Sequence, residues 1–153
     1  EYKIAILYQY DNRWRVIWTD GRELPKLVDG AVEIGGEIRE QRFSGYSVGR
    51  WVDDYTLEAQ TIGTMPEDRV WLDATGRPIS DQIRVTERIR RVDNDTMEWS
   101  ETIDDPKVYT KPWETMRLTM RLHDPRTDIM EYYCSPVEQQ NYNNFFGNSL
   151  GGK

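Results

Sequence analysis

Short stretches that alternate apolar and polar residues, paired across Asp-containing turns, are the feature that most constrains this chain. Eight such stretches fall into four successive hairpins. Period-two alternation is the signature of strands that bury one face. The spacing therefore predicts an all-β domain, with helix confined to the C-terminal end.

The third hairpin carries the clearest register. Ile83 to Val92 and Thr96 to Asp104 flank Asp93-Asn94-Asp95. One face then pairs Arg90 with Glu98, Arg84 with Asp104 and Thr86 with Thr102; the other pairs Ile89 with Trp99 and Val85 with Ile103. In the second hairpin, Tyr46–Val52 and Thr56–Ile62, Trp51 faces Leu57, Gly49 faces Ala59, and Arg50 meets Glu58 on the solvent side. In the first, a three-residue loop Asp11-Asn12-Arg13 sets Tyr10 opposite Trp14, Tyr8 opposite Val16 and Ile6 opposite Trp18. That register puts Trp14 and Trp18 inside and Arg15 outside. The fourth hairpin turns at Asp124-Pro125-Arg126. Its first strand places Met116, Leu118, Met120 and Leu122 on one face, and its return strand brings Met130, Tyr132 and Cys134 to the same side.

Eight antiparallel strands in nearest-neighbour order predict an up-and-down β-barrel of the calycin or lipocalin-like kind, because closure removes exposed edges. A two-sheet β-sandwich is the alternative. Ser135-Pro136-Val137-Glu138 reads as a capping box with proline at the first helical position, predicting a short helix from Pro136 to about Phe145. Gly35-Gly36 predicts a small extra hairpin within the connector from Leu27 to Phe43. The expected organisation is one domain over 1–146 and a flexible tail over 147–153.

Composition narrows the partners. The chain has 153 residues and a net charge of −7. An acidic surface repels phosphate backbones, so nucleic acid is an unexpected partner. No apolar run approaches the roughly 20 residues of a membrane-spanning helix. The chain opens without an initiator Met or signal peptide, as expected of a processed or trimmed chain. One histidine, His123, and one cysteine, Cys134, support neither a tetrahedral zinc site nor a Cys–His dyad. No metal and no cofactor are expected, and no phosphate-binding or dinucleotide motif occurs.

Two features carry candidate chemistry. Glu87 and Glu101 lie opposite one another on the apolar face of the third hairpin. Two such carboxylates cannot both ionise cheaply, which is how acid–base pairs are tuned. The structural alternatives are that an inward arginine satisfies them, or that a bulge turns Glu101 outward. The second feature is the aromatic set Trp14, Trp18, Trp51 and Trp99, walling either a ligand pocket or a packed core. Asp20-Gly21-Arg22, Asp73 and Asp104-Asp105-Pro106 read as turn formers.

Several motifs together resemble a family of uncharacterised, commonly secreted bacterial proteins. They are Thr19-Asp20-Gly21-Arg22 with Pro25, Gly45-Tyr46-Ser47-Val48-Gly49-Arg50-Trp51, Trp71-Leu72-Asp73 with Gly76, Pro78 and Ser80, Arg84-Val85-Thr86-Glu87-Arg88, and Thr102-Ile103-Asp104-Asp105-Pro106-Lys107 with Tyr109-Thr110 and Pro112-Trp113. The resemblance implies an exported protein and no particular activity. It also implies an upstream partner cysteine that Cys134 lacks here. The chain departs from the family at Gly76-Arg77-Pro78-Ile79-Ser80, where relatives often read Gly-His-Pro-His-Ser, so a metal role for those histidines does not transfer. Its connector from Leu27 to Phe43 is also longer, and relatives usually have an apolar residue at the position of Glu101.

The preferred expectation is an exported binding protein for a small, partly apolar ligand. Trp14, Trp18, Trp51, Trp99, Met116, Leu118 and Met120 form the wall, and Glu87 and Glu101 orient a polar or cationic group. Against it stand a carboxylate-dependent enzyme using Glu87 and Glu101, and a protein-interaction module.

Overall fold

The computed structural model describes residues 2–9, 13–28, 31–65 and 70–128. The described residues are all-β and contain no helix. The expected C-terminal helix, the return strand of the fourth hairpin and the tail lie outside them. Among the described residues eleven strands form: β1 (Lys3–Leu7), β2 (Trp14–Trp18), β3 (Lys26–Val28), β4 (Ala31–Ile34), β5 (Glu37–Arg39), β6 (Tyr46–Asp53), β7 (Thr56–Ile62), β8 (Arg84–Arg91), β9 (Thr96–Asp104), β10 (Trp113–Glu114) and β11 (Leu118–Arg121).

Eight strands make one sheet in the order β1-β2-β6-β7-β8-β9-β10, with β11 also on β9. β3, β4 and β5 make a separate small sheet, whose second turn is at Gly35-Gly36 as the sequence predicts. Two features depart from an up-and-down barrel. β2 pairs with β6 in parallel, Ile17 opposite Ser47. The chain leaves β2, builds the small sheet and returns in the same direction, a crossover long enough to permit parallel pairing. Secondly, β1 and the β10/β11 edge are not paired to each other among the described residues, so the barrel is not closed. The architecture of the described residues is an open mixed sheet with a small accessory sheet, rather than a barrel or a sandwich of two large sheets.

The sheet curls strongly. β2 and β8 are three strand spacings apart, roughly 14 Å on a flat sheet. Yet Arg15 Nη2 on β2 lies 2.5 Å from Glu87 Oε1 on β8. Side chains of this length meet only if the sheet bends toward the face they share. Ile17, Leu57 and Ala59 are buried on this concave face, with Ile4, Ile6 and Ile89 against them. Gly49 permits the close approach: a Cβ there would stand 2.7 Å from Ile17 Cγ2.

The second and third hairpins have the registers expected from sequence. Trp51 pairs with Leu57, Gly49 with Ala59 and Arg50 with Glu58. Ile89 pairs with Trp99, Val85 with Ile103, Glu87 with Glu101 and Arg90 with Glu98. The fourth hairpin turns at Asp124, whose carbonyl accepts from the Thr127 N–H at 2.8 Å. Its expected uninterrupted first strand is broken, however. Trp113 pairs with Ile103, but Leu118 pairs with Trp99, so one extra residue is accommodated between β10 and β11. This bulge resets the alternation. Leu118 and Met120 share the concave side, whereas Met116 is 81% exposed and walls nothing.

The first hairpin corrects the expected register. Lys3 pairs with Trp18, Ile4 with Ile17, Ile6 with Arg15 and Leu7 with Trp14. The slip is an odd number of positions, so every side chain of β2 changes face. Trp14 and Trp18 leave the interior; Arg15 and Ile17 enter it. The reason is packing: β2 carries apolar residues on both faces, and Ile17 fills the space above Gly49 and Ala59.

A second core lies below β8 and β9. Ile79, Ile83 and Ile103 are buried, packed by Val70, Leu72, Val85, Tyr109 and Trp113. Asp105, 1% exposed, staples this region by accepting from Ser80 N–H at 2.5 Å and Ser80 Oγ at 2.7 Å. The small sheet covers the other end, where Val32 is fully buried and a Cβ on Gly63 would overlap its Cγ2 at 2.2 Å.

Candidate functional site

The concave face encloses a cleft of about 830 Å³. β1 supplies Ile4 and Ile6, β6 and β7 supply Trp51 and Leu57, and β8, β9 and β11 supply Ile89, Met97, Trp99 and Met120. Each reaches it through strand alternation, because residues paired across the sheet point to the same side. The mouth is the turn end of the hairpins, with Asp54, Tyr55, Asp93 and Asn94. Arg91 also borders the mouth, but its guanidinium is committed to the turn, donating to the carbonyls of Asp93 and Asn94 at 3.1 and 3.0 Å. The mouth thus presents two carboxylates and a cation already engaged.

Beyond Trp99 lies a buried charged cluster. Glu87 is 1% exposed, and Arg15 is the inward arginine that satisfies it. Burial alone works against the Arg15 cation; the hydrogen bond and charge of Glu87 outweigh it and hold the guanidinium above its ordinary pKa. The pair is incompletely satisfied: Arg15 Nε and Glu87 Oε2 are buried without hydrogen-bond partners. Arg15 also lies over the Trp99 ring, 5.6 Å from its centroid, within cation–π range.

Glu101 stays on the concave side opposite Glu87. No bulge turns it outward at this point; the bulge falls later, in the strand beside it. Desolvation raises its pKa first and the Glu87 charge raises it further, while Arg15 pulls the other way. The Trp99 indole N–H also favours the Glu101 carboxylate, although its geometry falls short of a full hydrogen bond. Tyr8 borders the same cluster, and burial is the main cause of its raised pKa.

Of the residues expected at a site, Trp51, Trp99 and Met120 line the cleft, whereas Leu118, paired with Trp99, does not line it and is 54% exposed. Glu87 and Glu101 sit behind Trp99. Trp14 and Trp18 are on the opposite face: Trp14 is 66% exposed, and Trp18 is stacked by the Arg22 guanidinium at 3.7 Å. Sequence reasoning missed Ile4, Ile6 and Arg15. The one available signal for Arg15 was the need of two facing glutamates for a cation.

The turn formers behave as such. Arg22 N–H and Thr75 N–H donate to the carboxylates of Asp20 and Asp73, at 3.3 and 2.8 Å. His123 is exposed. Among the described residues no three of His, Cys, Asp and Glu are grouped to hold a metal ion. No family model, curated protein or solved structure matches the chain.

Proposed function

We propose that the protein binds a small, partly apolar, ring-bearing ligand in the concave cleft. The observation that carries this reading is the cleft itself: about 830 Å³, apolar-walled and open at one end. That size and lining are those of small-molecule sites. Trp51 and Trp99 offer flat faces for a ring. Asp54 and Asp93 at the mouth favour a neutral or cationic polar end over an anionic one. An exported location accompanies this reading on the strength of the motif resemblance. The enzyme reading is weaker, because Glu87 is committed to Arg15 and is not a free base.

The test uses the full chain and N-phenyl-1-naphthylamine, an apolar aromatic amine whose emission rises on burial. Saturable binding is expected. Trp51→Ala should weaken it on the order of tenfold, as truncation of an aromatic anchor that the ligand covers does. Trp14→Ala, on the opposite face, should leave it unchanged. Absence of saturable binding, or equal loss in the two variants, overturns the proposal.

A further inference from the structure

The convex face of the central strands holds a second, chemically different depression. It measures about 340 Å³ and is bounded by Asp53, Thr56, Arg88, Arg90, Glu98, Ser100 and Arg117. Arg88 and Arg90 are two apart on β8, so alternation aims both at this face. Arg117 enters from the bulged segment between β10 and β11.

The charge accounting at this spot is unusual for a chain with 27 acidic and 20 basic residues. Both arginines face glutamates in register, Arg88 with Glu58 and Arg90 with Glu98. Neither pair closes. Glu58 is taken by Arg50 at 2.7 Å, and the nearest cation to Glu98 is Arg117 at 3.7 Å. Asp53 accepts from the Tyr55 N–H at 2.8 Å, and its carboxylate also feels the Arg88 charge without closing an ion pair with it. Among the described residues Arg88 and Arg90 are left without an ion pair, beside the Ser100 hydroxyl and the guanidinium of Arg117.

We propose that this depression binds a compact tetrahedral oxyanion, a phosphate or sulfate group, held by Arg88, Arg90 and Arg117 with Ser100 as a further donor. Guanidinium forks match the oxygens of such a group two at a time. The rim carboxylates of Asp53 and Glu98 set the size limit. They repel an extended polyanion running along the strand, and tolerate a small group seated between the arginines. This site is independent of the concave cleft, from which the sheet itself separates it.

Inorganic phosphate and inorganic sulfate are titrated into the full chain at constant ionic strength, with chloride as the balancing salt. The arginine Nε–Hε NMR signals are followed. Saturable shifts at Arg88, Arg90 and Arg117 are expected. Arg88→Gln and Arg90→Gln should each weaken binding on the order of tenfold, the usual loss of a charge-assisted hydrogen bond. Arg84→Gln, on the same strand and face but outside the depression, should change it less than about twofold. Vesicles of phosphatidylcholine with and without phosphatidate identify the source. Retention by phosphatidate that Arg90→Gln abolishes assigns the group to a headgroup. Free-phosphate binding without retention assigns it to a soluble ligand. Non-saturable shifts, or an Arg84→Gln loss equal to that of Arg90→Gln, overturn the proposal.

Discussion

Two arginine–glutamate pairs sit on opposite faces of one sheet, and they differ in everything except distance. Arg15 and Glu87 meet at 2.5 Å on the concave face, with side chains 11% and 1% exposed. Arg50 and Glu58 meet at 2.7 Å on the convex face, with side chains 76% and 22% exposed. Inside, each ion has given up its water and depends on its partner. Outside, water supports either ion alone, and the contact adds little. The two faces therefore have different tolerances. The concave face positions the cleft and cannot spare the cation that pairs with Glu87. The convex face leaves arginines free for other uses.

The sharpest way to break this comparison is Arg15→Met. Glu87 would be left as a lone buried carboxyl, at an expected cost of about 3–5 kcal/mol in denaturant unfolding near neutral pH. The double variant Arg15→Met, Glu87→Met should come back close to wild type, because burying two apolar side chains avoids both desolvation costs. A loss below about 1 kcal/mol for the single variant would place the pair in water, like its convex counterpart.

Glu101→Gln gives a smaller effect with a definite sign. The folded pKa of Glu101 is raised, chiefly by desolvation. Stability from this group is fully present below the unfolded glutamate pKa of about 4.3 and is lost as pH rises through the folded value. The wild type should therefore lose stability relative to Glu101→Gln across that interval, and the difference should level off above it. Unfolding free energies from about pH 4 to 8 test this. A difference that runs the other way would mean that Arg15 serves Glu101 as much as Glu87.

The smallest effect belongs to the convex pair. Arg50→Ala should cost less than about 1 kcal/mol, and the cost should shrink as salt is added. A salt-independent loss of several kcal/mol would erase the distinction between the faces.

How much of this was legible in the chain depended on how sharply each strand separates its two faces. β8 and β9 sort Arg84, Arg88 and Arg90 to one side and isoleucine, valine or tryptophan to the other, with Arg91 at the turn end as the exception. Only one register satisfies both strands, so the Glu87–Glu101 juxtaposition could be read directly. β1 and β2 carry no such sorting. Ile4 and Ile6 alternate with Ala5 and Leu7, and Trp14, Val16 and Trp18 alternate with Arg15 and Ile17. Counting hydrophobic residues favours the face with two tryptophans, which is the wrong one. What decides is distant in sequence: the gap above Gly49 and Ala59 admits Ile17, and buried Glu87 requires Arg15. The bulge before Leu118 was hidden for a similar reason, since Met116, Leu118, Met120 and Leu122 alternate without a break.

The sequence by itself determined the all-β class, the second and third hairpins and the meeting of two glutamates on an apolar face. These rest on period-two alternation and turn chemistry, which act over a few neighbouring residues. Tertiary structure decided the parallel joint between β2 and β6, the open edges, which tryptophans line the cleft and which arginine is buried. Those outcomes depend on how far the sheet curls and on which side chain fits a gap formed by strands far apart in the chain. Local pattern carries no information about either, because it ranks faces by apolar content and is blind to the shape of what they meet.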